Sequence, residues 1–139
     1  MKMNFLNKKS GILLLIFIAM MSLMLASCGG TQEATMPKEV TVQDAFAFYN
    51  DGGFILDVRT PEEWAAGHVP GATLIPLDEL PNRLSEVPDD VEVYVICRSG
   101  NRSSVARDLL LDNDFTLVTS VGGGFNQWVA AGYPYDTGN

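Results

Sequence analysis

The chain has 139 residues, with nine Lys and Arg against 17 Asp and Glu, a net charge of −8 and 47% hydrophobic residues. That acidity argues against electrostatic capture of nucleic acid or of an anionic membrane, and the length holds one ordinary domain, not two. One His and two Cys make no metal-ligand cluster, and no cofactor is expected.

In chain order the first feature is an apolar stretch of 16 residues, Gly11 to Ala26, preceded by Lys2, Lys8 and Lys9 and running into Leu25-Ala26-Ser27-Cys28. It is shorter than the roughly 20 residues of a spanning helix, and small residues precede Cys28, which is the layout of a signal peptide. Leu-Ala-Ser-Cys resembles the lipobox of bacterial lipoproteins, and the resemblance implies that Cys28 becomes the acylated first residue. The expectation is a lipoprotein signal peptide over 1–27, a lipidated Cys with a small, polar, flexible tether over 28–38, and one domain over 39–137. Residues 28–139 carry six basic against 17 acidic side chains, a net charge of −11, so membrane attachment would rest on the lipid alone. The expected location is the cell envelope, on the extracytoplasmic side of a bacterial membrane. If Cys28 is acylated through its sulfur, Cys97 is the free thiol, facing an oxidising compartment.

Thr41 with Asp44 three residues on predicts a capped helix through Tyr49, which Asp51-Gly52-Gly53 breaks. Phe54 to Val58 has the pattern of a buried strand. Pro61-Glu62-Glu63-Trp64 opens a short helix with Pro and acids in its first turn, ended by Gly67. A short strand is predicted at Thr73 to Ile75, and a helix at Asp78 to Glu86, bent or delayed by Pro81. Val91 to Ile96 is β-branched and aromatic, as a buried strand is. Ser103 to Asn113 places Val105, Ala106, Leu109 and Leu110 at helical spacing. Thr116 to Thr119 predicts a last strand, and Gly122-Gly123-Gly124 leads into a helix over Phe125 to Ala131. Strands alternating with helices predict an open, mostly parallel α/β sheet covered on both faces. In such sheets ligands bind at the carboxyl ends of strands, where Cys97 and Asp57 stand.

The stretch Cys97-Arg98-Ser99-Gly100-Asn101-Arg102 joins a strand to a helix through a short loop, which puts a thiol at a helix N-terminus. Such a loop with a central Gly turns backbone N–H groups inward as an anion-binding nest, and the helix dipole adds positive potential. Arg98 and Arg102 add full charges. All three effects favour thiolate, so a Cys that titrates near about 8.5 in the open is expected to be largely ionised at neutral pH. A buried inert thiol needs no cationic surround, so the pattern points to an activated nucleophile in an anion cradle.

Four ordered motifs resemble the rhodanese family of sulfurtransferases, from about Val40 to Pro134. They are Asp57-Val58-Arg59; Glu63 with Gly67-His68-Val69-Pro70-Gly71-Ala72; Cys97 through Ser103; and Gly122-Gly123 with Trp128 and Gly132-Tyr133-Pro134. The resemblance implies a rhodanese-like sheet of about five strands flanked by helices. It also implies that Cys97 accepts a sulfane sulfur as a persulfide and passes it to cyanide or a thiol, with Arg98, Ser99, Gly100, Asn101, Arg102 and Ser103 binding substrate. The partners expected are a small anionic sulfur donor such as thiosulfate, a thiol or cyanide acceptor, an exported thioredoxin-like reductant and the membrane reached by lipid, with no nucleic acid and a monomeric state. Cysteine phosphatases use Cys-x5-Arg around a phosphate, whereas Arg102 makes Cys-x4-Arg, a tighter loop suited to a terminal sulfur. Two other readings stay open: a rhodanese-like binding or redox- and sulfur-sensing module, and a phosphatase or arsenate reductase.

Asp57 is expected to support the loop by accepting hydrogen bonds from Arg102 or the loop backbone, since an ionised thiol needs no base. Arg59 either extends the pocket or pairs with an acid. His68, in the Gly-His-Val-Pro-Gly turn, is expected to scaffold and not to act as a base. Trp64 and Trp128 are packing residues, Trp128 near the pocket mouth, while Glu62 and Glu63 serve the helix dipole.

Overall fold

The computed structural model describes residues 35–138; the expected signal peptide and Cys28 lie outside the described residues. Five strands form one sheet: β1 (Glu39–Val40), β2 (Phe54–Asp57), β3 (Thr73–Leu74), β4 (Val93–Ile96) and β5 (Val118–Val121). Their order is β1-β5-β4-β2-β3, and every pairing is parallel. The helices are α1 (Val42–Asn50), α2 (Pro61–Ala66), α3 (Asn101–Leu111) and α4 (Gly124–Ala130). The expected parallel α/β sheet with helices on both faces is the fold observed.

Alternation along the strands divides the core in two. Val93 and Val95 of β4 join Leu56, Val118 and, from α3, Ala106 and Leu110 on one face. Ile96 joins Ile55, Val121, α1 residues Val42 and Ala45, and Trp128 of α4 on the other. Phe46, Tyr49 and Tyr133 close around Trp128, whose indole N–H donates to the Pro134 carbonyl at 2.8 Å. Trp128 is fully buried as packing and does not reach a pocket mouth. β4 has a partner on each side, so its carboxyl end, and Cys97 just beyond it, is held from both flanks.

The helix starts are written locally. Thr41 and Asp44 form a complete capping box before α1, and Thr60 and Glu63 form another before α2, where Pro61 occupies a position whose N–H needs no partner. Gly67 ends α2 as expected.

Four differences from the sequence reading have physical causes. The expected helix over 78–86 is two 3₁₀ turns, Leu80–Asn82 and Leu84–Glu86, because Pro81 removes a donor and clashes with the preceding turn. The last strand is Val118–Val121, not Thr116 to Thr119: buried Thr119 donates to the Pro37 carbonyl at 2.6 Å, and buried Ser120 pairs with Ser103, so both polar side chains are satisfied inside a strand. β1 escapes a pattern reading because it is two residues long. The carbonyls of Pro37 and Lys38 already accept hydrogen bonds from β5, so the sheet engages the chain before β1 begins. Finally, α3 buries Ser103, Ala106 and Leu110, leaving Val105 56% exposed beside that stripe.

Thr41→Ala removes the side-chain acceptor of the first capping box. It should lower stability by about 1 kcal/mol without moving the spectrum of the folded state, as read by urea unfolding.

Candidate functional site

β4 ends at Ile96, the chain turns through Cys97 to Gly100, and α3 starts at Asn101. The helix therefore begins two residues earlier than the sequence pattern suggests. The N-cap is Gly100, with φ +103, a left-handed conformation that a side chain would strain. That twist aims the Gly100 N–H at the Cys97 sulfur, 3.1 Å away, and the Ser103 hydroxyl lies 3.6 Å from the same atom. Cys97 is 1% exposed at the floor of this loop. Burial pushes its thiol up, but the Ser103 hydroxyl and the N–H groups of Ser103, Ser99 and Gly100 outweigh burial, and the thiol lies below its ordinary value.

The loop's carbonyls face the other way because α4 takes them. Phe125 N–H donates to Cys97 O at 2.7 Å and Asn126 N–H to Arg98 O at 3.0 Å. Such contact requires glycine. A Cβ at Gly124, where φ is +56, would sit 2.3 Å from Cys97 O and 2.8 Å from the Arg98 carbonyl carbon. With the Arg98 carbonyl bound to the first turn of α4, its peptide plane turns the Ser99 N–H toward the sulfur, beside the Gly100 N–H, and together they make the nest the sequence predicts.

The arginines do something different from what the sequence suggests. Arg98 is exposed, and so are Ser99 and Asn101. Arg102 donates from both terminal nitrogens to the Glu63 carboxylate, at 2.7 and 2.8 Å. That bidentate pair holds the Glu63 carboxyl down to about 2 against the opposing effect of burial, so Glu63 is ionised throughout the working range. Arg102 thus brings its charge near Cys97 already partnered. Glu63 also accepts from Thr60 N–H in the capping box, which fixes the carboxylate before Arg102 meets it. The role of Glu63 as Arg102's partner is not legible at 39 residues' separation; only its place as an acid in the first turn of a helix is.

Asp57 does not receive Arg102. Its oxygens are occupied by Arg59, whose Nε donates at 3.0 Å to both and whose NH2 donates at 2.6 Å, with the Arg59 backbone N–H adding a fourth contact. Both residues are buried. Of the two readings for Arg59, pairing with an acid is the one found, and the pairing has structural reach: Arg59 also donates to Gly67 O at 2.8 Å and lies 4.1 Å over the Phe125 ring. It ties the end of β2 to the end of α2 and to the first turn of α4, the turn that binds the loop. His68 scaffolds this corner. Its ring stacks on Trp64, its Nδ1 lies 3.0 Å from Trp64 O, and its backbone bridges to Asp136.

Two cavities flank the loop. One, of about 410 Å³, is lined by Lys38, Glu39, Ser99, Gly100, Asn101 and Ser104. The other, of about 350 Å³, lies by Arg102 and is lined also by Val58, Arg59, Thr60, Pro76, Leu77 and Asp78. Among the described residues no cluster could hold a metal ion. The chemistry available is that of a nucleophilic sulfur whose negative charge is met by preorganised donors.

The chain is similar to known proteins in sequence and in fold. The profile of the rhodanese-like domain matches residues 41–131. The chain is 32% identical over 100 residues to a thiosulfate sulfurtransferase of Pseudomonas entomophila, covering 72% of this chain and 91% of that one. It is 39% identical over 80 residues to a sulfurtransferase of Allochromatium vinosum, covering 58% and 75%. Its fold is similar to the crystal structure of a rhodanese-related protein from Thermoplasma volcanium, with TM-score 0.66 and 29% identity over 72% of this chain and 98% of that one.

Gly124→Ala should cost about 2–4 kcal/mol in urea unfolding, because the new Cβ meets immovable backbone, and should slow alkylation of Cys97 by opening the nest. Gly52→Ala, also at positive φ but with open space around it, should cost only about 1–2 kcal/mol and leave Cys97 unaffected.

Proposed function

This chain belongs to the rhodanese-like domain family, and on that footing we propose that it is a sulfurtransferase moving a sulfane sulfur from thiosulfate or a persulfide donor, through a persulfide on Cys97, to a thiol or cyanide. The observation that carries the reading is the Cys97 sulfur facing the N–H of Gly100 and the hydroxyl of Ser103, with its thiol below the ordinary value. The sulfurtransferases to which the chain is similar support sulfur transfer in general.

The Cys97 thiolate attacks the outer sulfur of thiosulfate. A sulfur–sulfur bond forms, the bond to the sulfonate sulfur breaks, and sulfite leaves with the electron pair. The cysteine is now a persulfide, also an anion, and the same N–H groups hold it. A thiolate or cyanide attacks the outer sulfur, and Cys97 leaves as thiolate. No general base is required, which agrees with Asp57 being saturated by Arg59 and with His68 serving the corner. The loop has four residues between Cys97 and Arg102, and its buried sulfur suits a small terminal atom better than a tetrahedral phosphate.

The proposal includes export and lipid attachment through Cys28, supported by the Leu-Ala-Ser-Cys stretch alone. Export would put Cys97 where a thioredoxin-like reductant must keep it reduced.

On incubation of the reduced protein with thiosulfate, mass spectrometry should find a gain of one sulfur, about 32 Da, on Cys97, and Cys97→Ser should abolish it. No adduct on any residue with donor in excess refutes the enzyme reading. Arg102→Ala should reduce thiosulfate turnover about tenfold or more, the worth of one charge-assisted hydrogen bond. Alkylation of Cys97 by neutral iodoacetamide should fall less than threefold, since the nest and Ser103 remain. Equal losses would mean that Arg102 acts only on thiol ionisation or folding. In a bacterial host the full chain should be recovered from membranes shortened by 27 residues, released by detergent but not by salt, and Cys28→Ala should prevent this; a chain of uncleaved mass would contradict the lipid anchor.

A further inference from the structure

Three buried groups from three elements meet behind the sulfur: Cys97 after β4, Ser103 on α3 and Ser120 on β5. Register explains the meeting. Ser120 lies opposite Val95, two residues before Cys97, so their side chains share the face that α3 covers. The Ser103 oxygen is 3.6 Å from the Cys97 sulfur, 2.9 Å from Gly100 O and 2.8 Å from the Ser120 oxygen. Resting on the reading of Cys97 as the sulfur-accepting nucleophile, we propose that Ser120 is a positioning residue that directs the single hydroxyl hydrogen of Ser103 toward the sulfur when the sulfur is anionic.

Hydroxyl hydrogens are scarce where these groups meet. Ser103 has one to give and three acceptors within reach: the sulfur, Gly100 O and Ser120 Oγ. Among the described residues the only hydrogen-bond partner of the Ser120 hydroxyl is Ser103, and a buried hydroxyl hydrogen with no other acceptor is satisfied by donation to Ser103, which withdraws Ser120 as an acceptor. Gly100 O can release Ser103 without being orphaned, because it also accepts from Ser104 N–H at 3.1 Å. The Ser103 hydrogen is therefore shared between Gly100 O and the sulfur alone. When Cys97 is a thiol, it donates to Ser103, and Ser103 donates to Gly100 O. When Cys97 ionises, the Ser103 hydrogen turns to the sulfur while Ser120 continues to donate, and that donation strengthens Ser103 as a donor in a low-dielectric site. The charged groups around the sulfur are Arg98 in the loop, Arg102 of α3 with its partner Glu63, and the Asp57–Arg59 pair after β2. Neither β5 nor α4 contributes a charged side chain, so no charge replaces the Ser120 hydroxyl from its own side.

The test is the rate of iodoacetamide alkylation of Cys97 against pH in the full chain, followed on the peptide bearing residue 97. This readout needs no sulfur donor, so it fails or succeeds independently of the persulfide experiment. Ser120→Ala should move the midpoint up and slow the reaction about three- to tenfold below that midpoint, with the high-pH plateau unchanged. Ser103→Ala should do so more strongly, and Ser120→Ala should add nothing in the Ser103→Ala background. Ser120→Thr, which keeps the hydroxyl, should follow the wild-type profile and carries the test should Ser120→Ala not fold. A wild-type profile for Ser120→Ala, additive effects of the two substitutions, or a Ser120→Thr profile displaced like that of Ser103→Ala would each overturn the proposal.

Discussion

Two hydrogen bonds from the first turn of α4, Phe125 N–H to Cys97 O and Asn126 N–H to Arg98 O, set the conformation on which the site depends. A four-residue loop between a central parallel strand and a helix has few ways to orient its peptides. Binding the Arg98 carbonyl turns the Ser99 N–H of the same peptide inward, and the Gly100 N–H that follows it meets the sulfur at 3.1 Å. Each bond is worth only about 1 kcal/mol net in stability. Their effect on the site is larger, because a flipped peptide would replace a donor with a carbonyl dipole pointing at a thiolate. The constraint explains why glycine stands at position 124, and why Arg59 spans from Asp57 to the Phe125 ring: it holds the turn that holds the loop.

Two of the arginines near the site are held in ion pairs, while Arg98 is exposed in the loop. Arg102 is bound by Glu63 and Arg59 by Asp57, within a chain whose balance is strongly acidic. The field at the sulfur comes mainly from neutral donors, the N–H groups of Ser99, Gly100 and Ser103 and one hydroxyl, which cost little to keep in place when charge shifts during transfer. A cradle of this kind stabilises thiolate and persulfide alike, since both put negative charge on sulfur near the same donors. The ion pair at Arg102 lies beside a cavity that also touches Arg59.

Much of this was legible in the sequence because it is local. The capping box at Thr41, the Pro and acids that open α2, the β-branched run before Cys97 and the Gly in the loop each act within a few residues. What was not legible depends on partners far along the chain. Thr119 and Ser120 looked like the end of a strand because a polar side chain in a buried strand needs a partner, and theirs are Pro37 and Ser103. Glu63 reads as an acid serving the helix dipole because that role is set within the first turn, while Arg102 is 39 residues on. By its chemistry Asp57 is expected to accept from Arg102 or the loop backbone, yet Arg59, two residues away, reaches it first and takes both oxygens. Pro81 carried the information that 78–86 is not an α-helix, but it was weighed as a bend when it is a break.

Backbone N–H groups and the Ser103 hydroxyl draw Cys97 toward the thiolate by outweighing its burial. Thiolate absorbance near 240 nm, titrated with pH as the difference between the full-length chain and its Cys97→Ser variant, reports that ionisation without any reagent. The account predicts a midpoint clearly below the about 8.5 of a free cysteine, because the hydrogen bonds outweigh burial. A midpoint at or above that value would mean that burial wins, and that the loop encloses an ordinary buried thiol.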